Sequence, residues 1–143
     1  MAIGLGNLQL AKTTKLSTFR YCDPRKHNEG LRIGTTRLPP RGVTRDRWQA
    51  DNYFDVWFPA IAPSRALIRR FRGKVFDRST YELFCASYER ELLASAMGRQ
   101  AVQLIAAICR RMPVSIGCYC EDPNLCHRTH LAKIIRRAAR SLS

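Results

Sequence analysis

The sequence lacks any long hydrophobic run and is poor in acidic side chains. No stretch approaches the roughly 18 consecutive apolar residues that a membrane-spanning helix requires, so we expect no membrane partner. Eleven aspartates and glutamates stand against 25 lysines and arginines, giving a formal net charge of +14 at pH 7. Most of the basic residues are arginine, whose planar guanidinium suits phosphate and carboxylate. Unless this charge serves solubility alone, it predicts an anionic partner: a nucleotide, a nucleic acid or an acidic metabolite.

The chain also lacks internal repeats, low-complexity segments and a glycine- or serine-rich linker. We therefore predict one domain over residues 16 to 143, after a loose leader of residues 1 to 15. The opening MAIGLGNLQLA has no basic leader and no proper apolar run, unlike a signal peptide. We expect a cytoplasmic protein with six reduced cysteines, and clustered cysteines in that setting bind metal or catalyse more often than they form disulfides.

Strand and helix patterns alternate along the chain. Runs at 16 to 21 and 31 to 37 read as strands, and 53 to 58 suits a third strand or a helix fragment. The apolar run at 114 to 120 is typical of a buried parallel strand. The pattern predicts an α/β protein: a single compact domain with a small, mostly parallel sheet flanked by helices, Rossmann-like.

Four segments have the apolar spacing of helices. One follows Pro63-Ser64, one opens at Ser79 with Glu82 as a capping box, and one runs from about 99 to 112 with Leu104 and Met112 inward. The last helix is the clearest, and its apolar stripe consists of Leu131, Ile134, Ile135, Ala138, Ala139 and Leu142.

The segment CYCEDPNLCHRTH, residues 118 to 130, holds three of the six cysteines and two of the three histidines. It reads as a strand end, a turn and a helix entry, with Asp122 as N-cap and Pro123 at the first helical position. In open α/β sheets, ligands bind beyond the carboxyl ends of strands, near helix N-termini. We therefore place the candidate site here.

Among the interpretations of this segment, we rank an anion-binding pocket first. Arg128 and the N–H groups of the helix entry would donate to the anion, and His127 would orient it. Arg37 and Arg41, in the proline-rich loop after another predicted strand, are expected to converge on it. The ligand would be a small molecule with a phosphate or carboxylate, including a nucleotide.

Thiol chemistry is ranked second. Cys126 near a helix N-terminus and Cys118 at a strand end are candidate catalytic thiols, with His127 beside them. A phosphatase-like loop is excluded, because seven residues separate Cys120 from Arg128 and that chemistry needs five.

Zinc is ranked third, with Cys118, Cys120, Cys126 and His130 as the four ligands. A C-x-C pair on a straight strand differs from the usual C-x₂₋₄-C knuckle, and the sequence has no second knuckle. The cofactor is therefore left open, with zinc not favoured. The structural alternative is a capped turn with buried thiols and a satisfied core histidine.

A basic nucleic-acid-binding module is the alternative from another class. The outer face of the last helix would contact phosphates through Lys133, Arg136, Arg137 and Arg140. Residues 126 to 143 hold no aromatic side chains interleaved with these arginines, as single-strand binders use. A solvated basic face describes this helix better.

Short motifs in a fixed order make the chain resemble the YeaO-like group of bacterial proteins, domain-of-unknown-function family 488. They span roughly residues 17 to 137 and comprise Tyr21-x-Asp23-Pro24, Gly30-x-Arg32, Arg37-Leu38-Pro39-Pro40-Arg41-Gly42-Val43, Trp57, Ala62-Pro63-Ser64, Phe84, Tyr88, Glu91, Leu92, Cys118 and Cys126-His127-Arg128. The chain departs from the family at Pro39, where tryptophan is common, and at Cys120 and the basic tail, which are less typical. The resemblance implies a compact α/β domain with Arg37, Arg41, Cys118 and Cys126-His127-Arg128 near one another, and it implies no activity.

Overall fold

A four-stranded parallel sheet forms the centre of the computed structural model, which describes residues 14–142. Most of the predicted leader therefore lies outside the described residues. The strand order is β1-β4-β2-β3, with β1 at Leu16–Arg20, β2 at Leu31–Gly34, β3 at Val56–Trp57 and β4 at Val114–Cys118. Strand β4 lies between β1 and β2, and Val114 pairs with Leu16 on one side and Leu31 on the other. The predicted α/β class is confirmed, with every strand pair parallel.

Four helices cover one face of this sheet: α1 at Arg65–Phe71, α2 at Arg78–Ala94, α3 at Ala96–Cys109 and α4 at His127–Arg140. The main core lies between them and β4, whose residues are all buried. Ile105 of α3, Ile116 of β4 and Leu131 of α4 are at most 1 % exposed. Taken singly, no helix within residues 14–142 is long and apolar enough to cross a membrane; α2 and α3 pass that test only together, as a pair bent by 98°.

The opposite face of the sheet packs against the loop that precedes α1. Phe19, Tyr21 and Phe54 are buried there, among half-buried tryptophan and tyrosine side chains. The fully buried Arg32 stacks its guanidinium 4.2 Å from the centre of the Phe19 ring and pairs with Glu29 at 2.9 Å. Because both faces are covered, the carboxyl ends of the strands remain as the place for a site.

Two helix starts differ from prediction. Helix α2 begins after Asp77, whose side chain accepts the N–H of Thr80, and the predicted capping box is absent because Glu82 pairs with Arg78. Asp122 caps a short 3-10 turn, Pro123–Leu125, and α4 begins only at His127.

The inward face predicted for the third helix is wrong at two positions. Leu104 is 56 % exposed and Met112 is 41 % exposed. The helix ends at Cys109, so Met112 lies beyond its last turn, and Ala101, Val102 and Ile105 form the buried stripe. The rotation of α3 is set by its packing on α2 and α4.

Candidate functional site

The candidate site lies where β4 ends and the chain turns back to enter α4. Cys118 is the last residue of β4, and the 3-10 turn Pro123–Leu125 returns the chain so that Cys126 lies beside it. The hydroxyl of Tyr81 on α2 donates to the carbonyl of Cys126 at 2.9 Å, which fixes the helix entry. The strand, the turn and α2 therefore hold the site together.

Three thiols meet at this point. The Sγ atoms of Cys118, Cys120 and Cys126 all lie within 4.8 Å of one another, and those of Cys118 and Cys120 are 3.7 Å apart. Cys118 and Cys126 are buried, whereas Cys120 is exposed. We call these three residues the cysteine cluster.

The ring of His127 directs its unprotonated nitrogen, Nδ1, toward the cysteine cluster. Its Nε2 lies 3.0 Å from both the carbonyl and the hydroxyl oxygen of Thr35, and that hydroxyl donates its own hydrogen to the carbonyl of Gly117 at 2.8 Å. Both Thr35 oxygens therefore accept, so we assign the ring hydrogen to Nε2. Nδ1 then faces Sγ of Cys118 at 3.8 Å and Sγ of Cys126 at 3.9 Å as an acceptor. Burial lowers the pKa of His127 to about 4, so the ring is neutral at pH 7.

Arg128 brings a buried positive charge to the cluster. The residue is 3 % exposed, and its Nη1 donates to the carbonyl of Cys120 at 2.8 Å and to Sγ of Cys126 at 3.4 Å. No carboxylate within residues 14–142 forms an ion pair with it. Within the described residues, a carbonyl oxygen and a sulfur therefore stabilise the buried guanidinium in place of a carboxylate.

Of the three thiols, Cys120 is the easiest to deprotonate. The pKa of the Cys120 thiol is lowered, because the thiols of Cys118 and Cys126 donate to its sulfur and the positive charge of Arg128 adds to the effect. Hydrogen bonding with Cys120 raises the pKa of Cys118 to about 11, and the contacts with Cys118 and Cys120, together with burial, raise the pKa of Cys126.

A cleft of about 490 Å³ opens beside the cluster and has Cys118, Cys120 and His127 in its wall. Arg37 and Arg72 also line it, and no acidic residue is among its lining side chains within the described part of the chain. The apolar part of the wall consists of Leu38, Ile68, Phe71, Phe76, Phe84 and Tyr119. This volume suits a small organic ligand.

The structure brings most of the predicted site residues together and separates others. Cys118 and Cys126 belong to the cluster, His127 and Arg128 contact it, and Arg37 lies in the wall of the cleft. The Arg37 guanidinium donates to the carbonyls of Ala62 and Pro63 at 2.8 and 3.1 Å. Arg41 is exposed on its loop and is not among the residues that line the cleft.

His130, the fourth ligand of the predicted zinc set, does not join the thiols. Its Nε2 lies 3.7 Å from Glu89 on α2. Cys126 has extended backbone angles, φ −120° and ψ 142°, and is the N-cap of α4 rather than a helical residue. The four-residue spacing from Cys126 to His130 therefore does not place the two side chains on one helix face.

The basic residues of α4 are partly engaged within the protein. Arg136 donates to the carbonyl of Leu16 at 3.0 Å, and Arg137 pairs with Glu89. Lys133 and Arg140 are exposed. The outer face of α4 thus presents fewer unengaged cations than its sequence suggests.

Sequence reasoning missed Thr35 and the residues of the α1 segment that line the cleft. Thr35 follows β2, and nothing in the sequence shows that β2 lies next to β4 in the sheet. The α1 segment did carry a signal: Arg69, Arg70, Phe71, Arg72, Lys74, Phe76 and Arg78 interleave basic and aromatic side chains.

Comparison with known proteins gives one family and one curated relative. A family model described as the active DUF488-N3 subclade matches residues 16–139. The chain is 29 % identical over 117 residues to "Uncharacterized protein YeaO" of Escherichia coli strain K12, and the match covers 82 % of this chain and 93 % of that protein. No solved structure is significantly similar.

Proposed function

The chain belongs to the DUF488 family, in its active DUF488-N3 subclade, and we propose that it binds an anionic small molecule with a flat apolar body in the cleft beside the cysteine cluster. A nucleotide fits this description best. The observation that carries the proposal is the lining of the cleft, which combines two arginines, aromatic walls and no acidic side chain among the described residues.

The walls of the cleft favour a flat apolar body. Phe84 contacts Phe71 and Phe76 edge to face, with ring centroids 5.3 and 5.7 Å away. Leu38 and Tyr119 are 55 % and 46 % exposed, which leaves apolar surface for a ligand to cover. A purine or another aromatic ring would bury that surface at about 25 cal/mol per Å².

The charges around the cleft favour an anion. Arg37 donates Nε and Nη2 to two backbone carbonyls, so its guanidinium is fixed at the wall and offers a ligand only the N–H groups that those carbonyls leave free. Arg72 is exposed at the wall. Residues 65–78, which include α1, carry six basic side chains and one acid, and they extend the positive potential beyond the cleft.

Arg128 supports the proposed site indirectly. Its buried guanidinium is occupied with the carbonyl of Cys120 and the sulfur of Cys126, so it holds the turn that carries the cluster. A nucleophilic role for Cys118 or Cys126 receives less support, since both thiols are buried and both have a raised pKa.

Calorimetric titration of the full chain with AMP tests the proposal, with adenosine and inorganic phosphate as the two halves of the ligand. We expect AMP to bind more tightly than either half. Arg72→Gln should weaken AMP binding about fivefold, the loss of roughly 1 kcal/mol from a half-exposed charge-assisted hydrogen bond. Arg140→Gln removes the same charge from α4 and should leave the affinity unchanged.

A second pair of variants tests the cleft itself. Ile68→Glu places a carboxylate on the wall and should abolish AMP binding, whereas Leu104→Glu places one on the exposed side of α3 and should not. The proposal fails if AMP and other aromatic anions do not bind, or if Arg72→Gln and Ile68→Glu bind as the parent protein does. Weakening by Arg140→Gln alone would instead favour the nucleic-acid surface on α4.

A further inference from the structure

The three sulfurs of the cysteine cluster lie close enough together to share a metal ion, and Nδ1 of His127 lies beside two of them. Four ligands about 2.3 Å from a central zinc ion lie about 3.8 Å from one another, and a zinc–nitrogen bond is only slightly shorter. The Sγ atoms of Cys118 and Cys120 are 3.7 Å apart, and Nδ1 of His127 lies 3.8 and 3.9 Å from Sγ of Cys118 and Cys126. All three sulfurs fall within 4.8 Å of one another. Nδ1 contacts two of the three sulfurs, so the side chain of Cys120 must move toward the ring for the four atoms to surround one ion.

The hydrogen bonds of His127 are those of a ligating histidine. Metal-bound imidazoles donate their other ring N–H to a carbonyl or carboxylate, which fixes the tautomer and aims the bare nitrogen at the ion. Here Nε2 donates to Thr35 and leaves Nδ1 toward the thiols. This arrangement needs no rotation of the ring to accept a metal.

The charge of the surroundings also matches. Three thiolates, a neutral imidazole and a divalent ion carry a net charge of −1, which the buried Arg128 balances. Arg128 already donates to Sγ of Cys126, as partners outside the ligand shell do for metal-bound thiolates.

We propose that Cys118, Cys120, Cys126 and Nδ1 of His127 bind one thiophilic divalent ion, with Zn²⁺ the best match to three sulfurs and one nitrogen. This set keeps three predicted ligands and replaces His130 with His127. Four protein ligands close the coordination shell, which is the pattern of a structural site. The ion would tie the end of β4 to the entry of α4 and form part of the cleft wall.

The test uses full-length protein prepared without an affinity tag, stripped of metal under reducing conditions and titrated with Co²⁺. We expect one Co²⁺ per chain, with the thiolate charge-transfer band and the strong d–d bands of tetrahedral cobalt. Equimolar Zn²⁺ should displace it. Absence of these bands at excess Co²⁺ would overturn the proposal.

Matched variants identify the ligands. Cys120→Ser should weaken Co²⁺ binding about 100-fold or more, while Cys22→Ser, an exposed cysteine outside the cluster, should not change it. His127→Gln should weaken binding and His130→Gln should not. Weaker Co²⁺ binding by His130→Gln, together with unchanged Co²⁺ binding by His127→Gln, would contradict the assignment. Because Cys120 is exposed, its serine variant keeps the proposal testable if His127→Gln does not fold.

Failure of the metal site and failure of the ligand cleft are separable. Arg72 lies outside the four proposed ligands, so Arg72→Gln should leave Co²⁺ affinity unchanged while weakening AMP binding. If Arg72→Gln weakened both Co²⁺ binding and AMP binding, the assignment of the metal ligands would be contradicted.

Discussion

Removing the buried charge of Arg128 is the perturbation with the most specific expected result. Arg128→Met keeps an apolar stem of similar length and removes a guanidinium that is 3 % exposed. The variant loses a 2.8 Å bond to the carbonyl of Cys120 and a 3.4 Å bond to Sγ of Cys126. A bond from a charged donor contributes about 1.5–3 kcal/mol, and the avoided desolvation of the guanidinium offsets part of that sum. We expect the free energy of unfolding to fall by about 2 kcal/mol.

Equilibrium urea unfolding, followed by circular dichroism under reducing conditions with a chelator, measures this change. The urea midpoint should fall and the slope should stay constant, since the variant exposes no new surface. Arg128→Lys should recover only part of the loss, because lysine keeps the charge without the planar fork.

A double-mutant cycle isolates the contact with the cluster. In a Cys126→Ala background, Arg128→Met should cost about 1 kcal/mol less than in the parent protein, because one of its partners is already gone. Additive losses would show that Arg128 does not interact with the thiol. A loss below about 0.5 kcal/mol for Arg128→Met alone would refute the role given to the buried charge.

Two further predictions concern the sheet. Burial acts to raise the pKa of Asp55, but hydrogen bonds from Arg25, from the N–H of Arg32 and from Gln49 outweigh it and lower the pKa. The ionised carboxylate thus stabilises the fold above the pKa of Asp55 in the unfolded chain, and this stabilisation is lost as pH falls through its pKa in the folded protein. Asp55→Asn should therefore be less stable than the parent at pH 7 by about 1–2 kcal/mol, and the difference between their urea midpoints should close below about pH 4. An equal difference at both pH values would refute this. Gly117→Ala would put a Cβ atom 2.2 Å from the Phe19 ring, whose other contacts include the guanidinium of Arg32. This substitution should lower the free energy of unfolding by about 1–3 kcal/mol. An unchanged thermal midpoint would contradict the packing described.

The helices and strands could be predicted from local sequence patterns, but the order of the strands in the sheet could not. Strands 16–20, 31–34 and 114–118 fall within the predicted runs. Four residues of the stripe predicted for the last helix are buried: Leu131, Ile134, Ile135 and Ala139. The order β1-β4-β2-β3 depends on packing between segments about 80 residues apart. This order brings Thr35 against His127, so the tautomer of the histidine could not be inferred from the segment around it.

The candidate site was located correctly along the chain, while its internal arrangement depended on the start of α4. Helical spacing assigned His130 to the thiols because Cys126 was taken as a helical residue. Its extended backbone angles as N-cap break that spacing and present His127 instead. The start of α4 at His127 rather than at Pro123, a shift of four residues, therefore changes which histidine faces the cluster.

The measurement that tests the central claim most directly is a map of backbone amide chemical shifts in the ¹⁵N-labelled chain during titration with AMP. The account predicts that shifts concentrate at the wall of the cleft, at Arg72, Phe76, Tyr119 and Cys120. Shifts confined to α4 between residues 133 and 140, or no shifts at all, would contradict it.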